Sequence, residues 1–207
     1  MSEASYKSNL ARNETLQLRR VSRLQSMFKR IRMTLVTLLC VAAAVAAGDS
    51  SNSTKAAFLY RFAAYIEWPD DAPLEEGPFV IAVAGDEGVA RQLELQLPRK
   101  TVHGRTAEVR RVKRVADLSG ANVLFVGAGE FKRTRALRTA ALEKPILIVT
   151  DDEAGIDGGA VINFLEDHDN VRFEISLIAA DRARLKVDAA LLAVAARVER
   201  RPQATAE

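Results

Sequence analysis

The 207-residue chain predicts an α/β fold: a single three-layer domain with a mostly parallel central sheet, flanking helices and an antiparallel C-terminal hairpin. Three observations predict it. The segments FVIAVAG (79–85), NVLFVG (122–127) and PILIVTD (145–151) are short, continuously apolar and bounded by glycine or a charge, as strands buried on both faces are. Segments with helical spacing separate them, and strands alternating with helices build parallel sheets. After Gly158-Gly159 the pattern changes to AVINFLE (160–166) and VRFEISL (171–177) around DHDN, which predicts a hairpin at the sheet edge.

The remaining elements follow in order. From Ser53, a plausible N-cap, Phe58, Leu59, Phe62, Ala63 and Ile66 recur at helical spacing, and Trp68 before Pro69 ends the helix. Gly88 to Leu97 predicts a helix stopped by Pro98, TAEVRRV (106–112) a half-exposed strand, and Phe131 to Leu142 a basic amphipathic helix. In VDAALLAVAARVERR, the stripe Val187, Leu191, Val194 and Val198, with arginines at the end that suits the helix dipole, predicts one closing helix.

Upstream of the domain, Lys29, Arg30 and Arg32 precede an apolar run of 15 residues, Met33 to Ala47, ending in small side chains. Residues 27–46 therefore read as a secretory signal peptide, with Ala44-Val45-Ala46 fitting the cleavage rule. A membrane anchor calls for about 20 apolar residues, and this run also lacks a basic flank after it. Cys40, the one cysteine, follows the bulky Leu39 where lipid attachment wants a small residue, so the exported domain is expected to hold no disulfide. Residues 1–26 form a polar extension, unusual before an export signal, and Met27 is the expected true start; N-terminal sequencing of the precursor checks it. The domain is expected over 53–200, and 201–207 as a disordered tail.

The whole chain has 30 Lys+Arg and 27 Asp+Glu, but residues 1–46 hold 8 and 2 of these, leaving 22 and 25, a net of −3. The basic balance thus belongs to the targeting region and gives no reason to expect nucleic acid or an anionic membrane as partner.

Four groupings are candidate sites. Gly127 and Gly129 stand between a strand and a helix as in a dinucleotide-binding turn, but Lys132 occupies the third glycine position, leaving an ordinary turn or a small anion site. Asp151, Asp152, Glu153 and Asp157 follow a buried strand, at the end where α/β sheets place ligands, and read as a polar turn or a ligand-binding cluster. Arg99, Lys100, Arg105, Arg110, Arg111, Lys113 and Arg114 form a basic stretch, either a solvated edge or a patch for an acidic partner. Finally, one helix face cannot easily bury Tyr60, Tyr65 and Trp68 together, so some of these rings, with Glu67 beside them, are candidates for a partner-binding surface. His103 and His168 lack companions at metal-ligand spacing, and no serine or mature cysteine sits in a nucleophile setting. Neither enzymatic chemistry, nor a metal, nor a cofactor is expected.

The opening Lys55-Ala-Ala-Phe-Leu-Tyr60, then Phe62 and Glu67-Trp68-Pro69, resembles the YfiR-like family of periplasmic proteins. The resemblance continues through FVIAVAGD, VHGRTAEVRRV, NVLFVG, PILIVTDD, the Gly158-Gly159 pair with AVINF, and VRFEISLIAADRARLKVDAALLAVAARV, covering about residues 54–199. It implies a small α/β domain, often dimeric, that is not an enzyme. It further implies a partner: the periplasmic domain of an inner-membrane diguanylate cyclase held inactive, or of a sensor histidine kinase in its place. Release of the cyclase would raise cyclic di-GMP and promote biofilm. Two residues depart from the family's pattern: Ala121 stands where members often carry cysteine, and Ser176 where an asparagine is common.

Overall fold

The computed structural model describes residues 50–70, 77–130, 132–167 and 170–200, with the backbone alone at 166–167. All belong to one compact unit, Asp49–Glu207. The expected extension, export signal and tail, with Cys40, His168 and Phe131, lie outside the described residues.

The sheet is built on β2 (Phe79–Ala84), β4 (Arg105–Arg111), β5 (Ala121–Val126) and β6 (Leu147–Thr150), all parallel. All six residues of β2 are buried because alternate side chains enter two separate cores. Phe79, Ile81 and Val83 meet Leu59, Phe62, Val89 and Leu93 on one face. Val80, Ala82 and Ala84 meet Leu118, Leu137 and Ala141 on the other. A helix cover on both faces is what makes these strands continuously apolar.

Helix α1 spans residues 50–64, and α2 (Glu87–Gln96) packs on the same face of the sheet. The Asp86 carboxylate caps α2 by accepting the Val89 N–H at 2.8 Å. Helix α3 (Arg135–Leu142) covers the opposite face, starting about a turn later than its amphipathic pattern predicts. β7 (Ile162–Asp167) and β8 (Asn170–Ser176) form the expected antiparallel hairpin, aligning Ile162 with Ile175. Phe58 and Phe62 of α1 stack on Phe164 and Phe173 of this hairpin, the Phe62–Phe173 pair being edge-on at 4.8 Å. Such ring pairs each add about 0.5–1.5 kcal/mol beyond the area they bury.

Two regions differ from expectation. α1 is already helical at residue 50, ahead of the cap expected at Ser53, and ends at residue 64; Ile66 is fully buried but belongs to β1 (Ile66–Glu67), so the right side chain is buried by a different backbone. After the short α4 (Leu177–Arg182), the closing helix is three elements instead: β9 (Lys186–Val187), α5 (Ala189–Val194) and β10 (Arg197–Glu199). Val187 is held opposite Ile66 in an antiparallel ribbon, and Asp188 caps α5 through the Ala190 N–H at 2.6 Å, so the helix begins only there. Ala195 is extended (ψ 140°), after which β10 pairs parallel with β8. Of the expected stripe only Leu191 is buried; Val194 is 68% exposed.

With β3 (Thr101–Val102) antiparallel to β4, the eight-stranded order is β10-β8-β7-β6-β5-β2-β4-β3. Among the described residues no helix is long and apolar enough to cross a membrane.

Candidate functional site

The chain leaves β2 toward β4 and leaves β5 toward β6, so the strand order reverses between β2 and β5. Open α/β sheets bind ligands in the crevice at the carboxyl ends of such a pair. Here that crevice is filled by the protein itself. The Gly127 N–H donates to the Ala84 carbonyl at 3.0 Å, tying the two turns together. A Cβ on Gly127 would lie 2.7 Å from Cβ of Asp86, and one on Gly85 would collide with the Glu130 side chain. The Asn52 side chain of α1 sits against Gly88 at the start of α2. A phosphate at Gly127 would meet the Asp86 side chain, with the α2 terminus already capped, whereas the space beside Gly129 is open.

One strand further, Lys55 of α1 donates from Nζ to Asp151 Oδ2 at 2.7 Å, in a pair whose side chains are 7% and 4% exposed. This buried bond fastens α1 to the end of β6. Asp152 serves the local turn instead, which it closes by accepting the Ala154 N–H on Oδ1 at 3.0 Å. The two aspartates thus lie side by side in sequence and act apart. Below them a buried polar chain crosses the sheet, with Thr150 Oγ1 donating to Asn163 at 2.8 Å and Asn163 Nδ2 donating to Glu174 at 3.0 Å. Arg197 of β10 completes it by an ion pair to Glu174 at 2.5 Å. Among the described residues no group of three or more His, Cys, Asp or Glu could hold a metal ion.

The basic stretch is largely matched by neighbours. Arg111 pairs with both Glu87 and Glu94; these bonds push the guanidinium pKa up and the Glu94 carboxyl down. Arg110 donates to the Ser119 carbonyl, and Arg105 to the carbonyls of Gly77 and Pro78 at 2.9 and 2.6 Å. Arg114 donates to Asp117, whose carboxyl is also bonded by the backbone N–H groups of Arg114 and Lys113 and is held down at about 2.

An open cavity of about 580 Å³ lies instead at the opposite, amino-terminal ends of β2 and β5. Trp68 is its wall, half-buried, with its indole N–H donating to the Pro145 carbonyl at 2.9 Å. The indole stands edge-on to Phe79 at 5.3 Å and to His103 at 5.7 Å. His103, in a left-handed turn (φ 48°), donates from Nε2 to the Ala63 carbonyl at 3.0 Å. Arg105, Arg184 and Lys186 bring three cations to the lining against the carboxylates of Glu67 and Asp70, and Asn122 adds an amide. The arrangement suits a flat ring with an anionic group, or an aromatic side chain with an acidic neighbour.

Of the four residues predicted for a partner, Glu67 and Trp68 line this cavity, and Tyr65 is 44% exposed. Tyr60 is half-buried, its hydroxyl donating to the Thr101 carbonyl at 3.1 Å under the Lys100 ammonium, which is 4.8 Å from the ring centroid. Sequence reasoning missed Phe79, His103, Arg105, Arg184 and Lys186 as cavity residues; the one available signal was the His103-Gly104 turn between two extended segments.

Residues 52–196 match the YfiR/HmsC-like family. The chain belongs to the YfiR/HmsC-like family. That family consists of periplasmic regulators of diguanylate cyclases and not of enzymes. No curated protein matches the chain. A solved structure that does match is described as a conserved domain protein from Vibrio cholerae O1 biovar El Tor strain N16961, at 13% identity and a TM-score of 0.43. The match covers 58% of this chain and 54% of that one, so it spans about half that protein's length.

Proposed function

We propose that this chain is a non-enzymatic periplasmic protein that binds an inner-membrane signalling protein and represses it, the partner being a diguanylate cyclase. The observation that carries the reading is the Trp68 cavity, an aromatic and charged hollow lined by exposed Glu67, with Tyr65 exposed two residues earlier in the chain, while side chains crowd the crevice at the other end of the sheet. Aromatic anchors around a hollow are the usual centre of a protein interface. Repression then needs only that one state of the sensor be bound better, a coupling of about 1–3 kcal/mol.

Affinity capture with the tagged protein from solubilised inner membranes, with mass spectrometry of what is retained, tests this. A diguanylate cyclase lost on Tyr65→Ala supports it; a sensor histidine kinase in its place would name another target for the same surface. Empty beads from folded bait would sink the reading.

A second reading is favoured by the cations facing Trp68 and Phe79: a small aromatic or heterocyclic anion, such as an amino acid or a nucleotide, occupies the cavity. Calorimetric titration of such compounds decides it, since heat that vanishes with Lys186→Glu is expected, and silence at millimolar levels refutes it.

A further inference from the structure

Among the described residues β10 is the outermost strand of the eight, bonded to β8 on one side alone. The Ala196 N–H donates to the Phe173 carbonyl at 2.8 Å, which fixes the phase of the strand. Because successive residues turn their N–H and C=O to opposite sides, Ala196 and Val198 face β8, whereas Arg197 and Glu199 present theirs outward. Short charged edge strands usually keep sheets apart, since like residues meet when an edge pairs with its own copy. The order Arg197-Val198-Glu199 does the reverse.

From this geometry we infer that β10 is the self-association surface of the protein, pairing antiparallel with β10 of a second copy about a two-fold axis at Val198. In that register Arg197 of each copy lies opposite Glu199 of the other. Both residues face outward, so each such pair exchanges two backbone hydrogen bonds, giving four in all, and Val198 meets Val198 as the non-bonded pair. Moving the axis to residue 197 or 199 places Arg197 against Arg197 or Glu199 against Glu199, and moving it between residues sets inward groups against outward ones. Only the Val198 register satisfies hydrogen bonding and charge together. The side chains are placed for it: Arg197 is 69% exposed even while paired with Glu174, and Glu199, fixed by the Ser176 hydroxyl, keeps carboxylate lone pairs for a second donor. Exposed Val194 adds apolar surface beside the strand. The two eight-stranded sheets become continuous across the axis.

The test is sedimentation equilibrium of the full chain and two charge variants. The wild-type protein is expected to dimerise, and Glu199→Lys and Arg197→Glu each to weaken self-association by about tenfold or more, as two cross-strand pairs turning from attractive to repulsive should. Mixing the two variants restores attraction at both pairs, so a heterodimer of nearly wild-type affinity is expected. A monomeric wild type overturns the inference, leaving the edge to a strand of some other protein. So do variants that still dimerise alone, or folded variants that fail to combine when mixed. Should Arg197→Glu not fold, with two carboxylates forced together at Glu174, retained dimerisation of Glu199→Lys alone overturns it.

Discussion

At Lys55 a buried ammonium donates to the buried Asp151 carboxylate, and removing it takes a charge-assisted bond from a buried acid. Lys55→Met is expected to destabilise the fold by about 3–5 kcal/mol in urea unfolding, because the buried Asp151 carboxylate then loses its ion pair with Lys55. Lys55→Met with Asp151→Leu should recover most of that loss; a double variant as unstable as the single one would show the pair to be worth more than its desolvation. Asp117 is an opposite case, a carboxylate at the surface whose proton affinity is lowered by Arg114 and two backbone donors. Its ordinary value is 3.8 and its folded value about 2, so its stabilisation is full above 3.8 and disappears as pH falls between those two values. Asp117→Asn should therefore flatten the acid limb of a stability curve across that window and leave its slope near neutrality unchanged. Identical slopes in the acid window would refute it.

At the scale of elements, the C-terminal segment shows how a good periodic pattern gives way to tertiary pairing. Leu191→Ala is expected to cost about 2–5 kcal/mol, while Val194→Ser, at the same expected stripe, should change monomer stability by less than about 0.5 kcal/mol. Equal losses would restore the continuous helix. β2, β5 and β6 were legible because covering both faces leaves a run with no polar interruption, which no surface element imitates. β9 and β10 were not, since two- and three-residue strands carry no period of their own and exist because β1 and β8 offer unpaired backbone. The cavity was legible only in part. Glu67 and Trp68 stand together in a recognisable motif, but Arg105 and Lys186 come from distant strands, and of the left-handed turns that aim His103 and Arg184 only the first is marked in the sequence, by Gly104.

Across the whole molecule, α1 links the two ends of the sheet. Its first turns close the carboxyl-end crevice through Asn52 and Lys55, and its last turn leads through β1 to the cavity at the other end. A fold whose usual ligand position is filled by its own carboxylates has its open chemistry elsewhere, and a titration of the protein with inorganic phosphate should give no effect that Gly127→Ala removes. The aromatic wall of that cavity also has a practical meaning. Trp68 is the sole tryptophan of the chain, so every photon of indole emission originates at this one place. Its spectrum reports the local polarity directly: a shift on adding a membrane partner or a small anion would signal occupancy without any label, and an unmoved spectrum would place the contact on another face.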